Sequence, residues 1–152
     1  MKKFSFRLQS LLKYRQYLEL VAKQEMARAQ KDLKESELRI LDLEEEGLRV
    51  SKALDRAAAG GISAIEFKSY MDYMDGVGDD MNREVKQKTT LENILGKKQE
   101  ALTKKSVEKK VLERLKKKKN MEYIEEFLKG EQNASDEISS LKKAREIIDA
   151  IS

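Results

Sequence analysis

The stretch Ala57-Ala58-Ala59-Gly60-Gly61-Ile62-Ser63-Ala64-Ile65-Glu66-Phe67 decides the fold. Alanine favours helix up to residue 59, and the glycine pair that follows propagates a helix poorly but turns freely. Ser63 and Glu66 have the spacing of a capping box. In that arrangement the serine oxygen takes the N–H of Glu66, and the glutamate reaches back to that of Ser63. Ile62 and Phe67 occupy the matching hydrophobic-staple positions. A helix end, a tight turn and a capped helix start, all within a few residues, predict two antiparallel helices.

Moving back from the turn, Ala57, Leu54, Val50, Gly47, Leu43, Ile40, Ser36, Leu33, Ala29 and Met26 follow one another at alternating steps of three and four. That is the seam of a coiled coil. Phe4, Leu8, Leu11, Arg15, Leu18 and Ala22 continue it toward the N-terminus. The spacing from Arg15 to Met26 is that of an eleven-residue repeat, which locally relaxes the supercoil. One helix is expected from about Ser5 to Ala59, spanning about 80 Å on the helical rise per residue. Beyond the turn the expected stripe is Phe67, Tyr70, Met74, Val77, Met81, Val85, Leu91, Leu95, Leu102, Val107, Val111, Leu115, Ile124 and Leu128.

Asp75-Gly76-Val77-Gly78-Asp79 is the weak point of this second arm, because an interior glycine costs ~1 kcal/mol relative to alanine. A short helix over 64–75, a kink, and a restart behind Asp79 is the expectation there. From Lys129 the pattern loosens. Gly130 and Asn133 offer an end to the helix, and Leu141–Ile151 a short terminal helix or a fraying tail. The fold class expected is all-α, a long antiparallel two-helix coiled-coil hairpin forming one domain over 1–152. Its arms cover 5–59 and 63–129, with the turn at 60–62 and a tail over 130–152. Residue i of one arm should face residue 122 − i of the other, to within a few positions.

The chain has 152 residues, of which 39% are charged, and it contains no Pro, Cys, His or Trp. Freedom from proline suits long helices. Without imidazole or thiolate there is no such base, nucleophile or soft metal ligand. Glu44-Glu45-Glu46 lie on neighbouring solvated positions where nothing raises a pKa. Gly96-Lys97 lacks the remaining residues of a phosphate-binding loop. The oxygen-rich run at 75–79 lacks the closing glutamate of a calcium loop. A non-enzyme with no cofactor and no metal is expected. No apolar run is long enough for a membrane span, and no apolar region follows Met1-Lys2-Lys3-Phe4 as in a signal peptide.

Charge is unevenly spread. Residues 1–24 carry six Lys/Arg against Glu19, and residues 97–119 carry eleven against Glu100, Glu108 and Glu113. Antiparallel pairing brings these two basic segments together at the open base, whereas residues 25–46 hold eight acidic and four basic groups. A basic cluster attracts and speeds the capture of a negatively lined partner. Lys116-Lys117-Lys118-Lys119 also reads as a simple solvated helix face, or as a phosphate-neutralising patch on nucleic acid. Against nucleic acid, Arg114 is the sole arginine of that segment and no aromatics interleave for base stacking.

Phe4, Leu8, Leu11, Leu12 and Arg15 opening a long helix, the Gly-Gly turn, Tyr70 and Tyr73, the stretch Leu112–Lys118, and Glu131-Gln132 with Asp136-Glu137 occur in that order. In this order and spacing the chain resembles the bacterial flagellar export protein FliJ family over essentially its full length. The resemblance implies a cytoplasmic antiparallel coiled coil, similar to the stalk of rotary ATPases, that works at the inner face of the membrane when assembled. It implies insertion into the hexameric flagellar export ATPase, contact with the cytoplasmic domain of the export-gate membrane protein, and binding of export chaperones. The gate patch would include Leu43, Val50, Tyr73 and Val77. The ring-binding base would be Phe4–Leu18 with roughly 112–136, carried by Phe4, Leu8, Leu11, Arg15, Arg114, Lys116, Lys117, Lys118 and Lys119.

Leu43 and Val50 also lie on the seam, where packing competes with partner contact. Tyr70 and Tyr73 cannot both enter a narrow seam, which makes Tyr73 a candidate exposed anchor. Phe4, Phe6 and Leu8 are expected to be mobile without a ring around them. A stalk or needle-chaperone coiled coil of a virulence secretion system, and a basic nucleic-acid-binding coiled coil, are the alternatives.

Overall fold

The computed structural model describes residues 2–151. Helix α1 runs Gln9–Ala59 and helix α2 runs Ala64–Ile151. They pack against each other as a helical hairpin, with no strand among the described residues. At the turn, the Gly60 N–H donates to the Arg56 carbonyl at 3.4 Å and the Gly61 N–H to that of Ala58 at 3.1 Å. Gly61 has φ of 81°, a left-handed conformation in which any Cβ is strained. A Cβ on Gly60 would meet only the Ala57 carbonyl oxygen at an ordinary 3.7 Å. The glycine requirement therefore sits at Gly61. Ser63 Oγ accepts the Glu66 N–H at 3.1 Å, as the cap predicts, although Phe67 of the expected staple stays largely exposed.

The chain divides into two compact units, Leu18–Lys105 and the pair Met1–Tyr17 with Ser106–Ser152. In the first of these, Glu25 meets Lys98 at 3.1 Å and Arg39 meets Glu84 at 2.9 Å. Both are one residue from the 122 − i expectation. On α1 the seam is the one read from the periodicity, every position from Met26 to Ala57 on that list being buried or half-buried.

The α2 seam differs from the apolar stripe. Its half-buried or buried positions in this unit include Tyr70, Met74, Val77, Met81, Glu84, Lys88, Leu91, Leu95, Lys98, Leu102 and Lys105, again at steps of four and three, with Gly96 beside Leu95. Once Met74, Val77 and Met81 are seated, the helical period carries the seam to Glu84 and Lys88 whatever their polarity, and swings Val85 out to solvent. Ser36, fully buried, donates to the Glu84 carboxylate at 2.8 Å. Among the described residues no buried side-chain nitrogen or oxygen lacks a partner. The expected break at 75–79 does not occur. α2 runs through Gly76 and Gly78, because Met74, Val77 and Met81 on either side are held against α1 and tertiary packing outweighs the propensity cost of glycine.

In the second unit, Arg15 meets Glu108 at 2.6 Å, the same one-residue offset. Its core is Phe6, Leu12 and Leu112, with Phe4, Leu8 and Leu115 packed against it. Leu12, 2% exposed, takes the seam position expected of Leu11, which is 38% exposed. The burial of α1 then proceeds through Arg15, Glu19, Ala22 and Met26 in an unbroken heptad, and the eleven-residue interruption disappears. Glu19 enters the seam as a carboxylate 3.2 Å from the Lys23 ammonium.

The N-terminal helix start also moves. Residues 2–8 are not helical, and the Gln9 N–H closes a turn onto the Phe6 carbonyl at 3.0 Å. Val107, Val111, Ile124 and Leu128 lie outside the seam and exposed, Val111 by 58%. At the far end α2 passes Gly130 and Asn133 as one helix to Ile151, and every residue from 128 to 151 is exposed.

Candidate functional site

The unit built from Met1–Tyr17 and Ser106–Ser152 holds the buried apolar cluster and the Lys116–Lys119 run. Ahead of α1, Phe6 is buried on Leu12 and Leu112, and Phe4 and Leu8 of the segment expected to be mobile pack against that cluster. Phe4 meets Tyr123 with ring centres 5.8 Å apart at a 46° tilt, a spacing at which aromatic pairs attract. The Tyr123 hydroxyl donates to the Lys2 carbonyl. Between the segment and α2 lies an open cleft of about 490 Å³, lined by Phe4, Phe6, Leu8, Leu115 and Tyr123 with Lys119 on its edge.

The basic groups of this unit fall into two sets. Arg15 is bound to Glu108, and Lys119 to Glu122 at 3.4 Å. Arg114, Lys117 and Lys118 are exposed, and Lys116 is half-buried beside Leu12 and Glu113. Leu11, Tyr14 and Tyr17 stand exposed on α1 of the same unit. The two tyrosines lie off the seam, so the heptad pattern does not mark them. The signal that finds them is large aromatics off the seam on a basic segment.

Near the turn, the Leu18–Lys105 unit carries a different cluster. Tyr73, 51% exposed, donates its hydroxyl to Glu46 Oε1 at 2.5 Å. Arg49 Nε donates to the other oxygen of the same carboxylate at 3.0 Å. Arg49 Nη2 also donates to Oε1 at 2.5 Å. The hydrogen bonds of Arg49 and then that of Tyr73 hold Glu46 down at about 2, and the bond to Glu46 raises the Tyr73 phenol. Of the neighbouring sequence-derived residues, Leu43 and Val77 are half-buried and Val50 is buried. Val77 lies 3.7 Å from where a Cβ on Gly47 would sit. Tyr73 is thus the one of the four that offers a large exposed surface, with Glu46 and Arg49 fixing its hydroxyl.

Farther along this unit, Glu84 is held below the ordinary carboxylate range by the hydrogen bond from Ser36 and then by that from Arg39. These carboxylates are ionised and engaged by neighbouring donors. They make ion pairs and hydrogen bonds, and neither is poised as a proton donor near neutrality.

A family model described as the flagellar FliJ protein matches residues 4–146. The chain belongs to the FliJ family. No curated protein and no solved structure matches it. Membership carries a flagellar, export-related role in a family that is not catalytic. The match runs from Phe4 to Glu146, so it includes both the folded-back aromatic segment and the whole basic stretch of α2. No described helix is long and apolar enough to cross a membrane.

Proposed function

We propose that this FliJ-family chain is a non-catalytic stalk and adaptor of the flagellar export apparatus. Its N-terminal segment and the 112–136 stretch of α2 insert into the export ATPase ring and promote its assembly and turnover. The carrying observation is that Phe4, Phe6, Leu8 and Tyr123 and the exposed cations Arg114, Lys117 and Lys118 belong to one compact unit. An apolar anchor beside a basic rim suits an acidic-lined ring interior, where the cations steer encounter and the accessible parts of Phe4, Leu8 and Tyr123 supply residence time. A ring whose subunits each meet a different helix face has its subunit states biased differently, which is how an inert helical hairpin can alter ATP turnover.

Around the turn, Tyr73 acts as the anchor for the cytoplasmic domain of the export gate, with Leu43 and Val77 at its edge and Val50 supporting them from beneath. Export chaperones are further partners, and the site of action is the cytoplasm at the inner face of the membrane. Purified export ATPase supplies the test. Its turnover should rise when the chain is added and should lose that rise when Lys116, Lys117, Lys118 and Lys119 are all changed to Glu, with helicity unchanged. Equal stimulation by the changed chain would show that the basic rim plays no part.

A further inference from the structure

The last two dozen residues of α2 are exposed on every side, yet their sequence is amphipathic. Ile138, Leu141 and Ile148 are all more than 60% exposed. Most helical stability in a protein comes from packing of an amphipathic face, and this stretch contains Gly130, Asn133, Ser135, Ser139 and Ser140, none a strong helix former. Four of its apolar residues, Ala134, Ile138, Leu141 and Ile148, lie with Arg145 on one heptad at steps of four and three, while Ala144, Ile147, Ala150 and Ile151 lie off it. In that register Ile138 is an a residue and Leu141 a d residue, the combination that favours two parallel strands, and a cation at a, Arg145, is tolerated at low oligomer number.

The flanking charges agree with that geometry. Glu137 falls at g and Lys142 at the following e, so in a parallel pair each Glu137 lies across the seam from Lys142 of the other copy, twice by symmetry. In an antiparallel pair the g residues lie on one side of the seam and the e residues on the other, which separates Glu137 from Lys142. We infer that this C-terminal segment is a self-association surface, whose occupant is the same segment of a second copy of the chain in parallel register. The inference stands apart from the reading of the ATPase and gate surfaces.

The chain has no cysteine, so single cysteines report cleanly. The full chain should sediment as a dimer at about 100 µM, a range in which a short interface is populated. Leu141→Cys should cross-link between copies on mild oxidation, whereas Lys143→Cys, on the outer f position, should not. Glu137→Lys and Lys142→Glu should each weaken association by about tenfold, and an equimolar mixture of the two should restore it as a heterodimer. A monomer at that concentration, equal cross-linking at 141 and 143, or a mixture no tighter than its components would each overturn the inference. So would a monomeric chain in which Leu141→Asp abolishes stimulation of the export ATPase, because the face would then belong to that partner.

Discussion

Leu11 and Leu12 are chemically identical neighbours, and which of them the hairpin buries depends on helical phase alone. Leu12 touches Phe6 and Leu112, whereas Leu11 faces outward. Leu12→Ala should therefore cost about 2–4 kcal/mol in urea unfolding, and Leu11→Ala less than about 1 kcal/mol. The periodicity of the sequence could not separate the two, since either continues an apolar stripe toward the N-terminus. The same limit applies to Glu84, which occupies a seam position that hydrophobicity assigns to Val85. Its carboxylate is 18% exposed and bound by Arg39 and Ser36.

Because the folded-state pKa of Glu84 is lowered, the stability it contributes is complete above its unfolded pKa and is lost as pH falls through the folded value. Between neutrality and about pH 3, the wild-type chain should lose more stability than Glu84→Gln, as read from urea midpoints. Parallel midpoints for the two proteins would remove Glu84 from the acid response. Glu46 behaves differently, being held by solvent-exposed partners. A carboxyl NMR titration should find it ionised down to about 2. Arg49→Ala should raise that value more than Tyr73→Phe, following the order of the two donors.

At the scale of helices, the α1 seam from Met26 to Ala57 was legible because its positions are almost all apolar or small. The α2 seam was legible only in part: Tyr70, Met74, Val77, Met81, Leu91, Leu95 and Leu102 fall where the stripe put them, but Glu84, Lys88, Lys98 and Lys105 hold places in the same heptad. Long side chains can bury their stems in a seam while their charged ends reach partners at its edge. Lys98 does so with Glu25 and Glu84 with Arg39. The turn is legible in Gly60-Gly61 and Ser63, whereas helix propensity alone makes Gly76 and Gly78 a break that packing on α1 prevents.

Those four glycines now separate. Nothing stands within 4 Å of a Cβ placed on Gly76 or Gly78, and both lie inside α2. Their replacement by alanine should each add about 0.5–1 kcal/mol. Gly61→Ala should subtract about 1–2 kcal/mol, because φ at that position is positive, with Gly60→Ala close to neutral. Thermal unfolding of the four single variants checks this directly, and destabilisation by Gly76→Ala or Gly78→Ala would mean that flexibility is needed there.

For the molecule as a whole, charge and chain topology divide the surface by function. Residues 1–24 and 97–119 are basic and residues 25–46 acidic, and the exposed aromatic at Tyr73 belongs to a different compact unit from the Phe4–Tyr123 pair. Much of this division was visible in the order of charges. The folding-back of Phe4–Leu8 was not, because a short non-helical segment that packs on its own chain leaves no periodic trace. The most direct test is amide hydrogen exchange of the chain with and without the purified export ATPase. Docking through the aromatic and basic base should slow exchange over residues 2–18 and 112–136 and leave 38–58 unchanged. Protection confined to the region around the turn, or none anywhere in the chain, would contradict it.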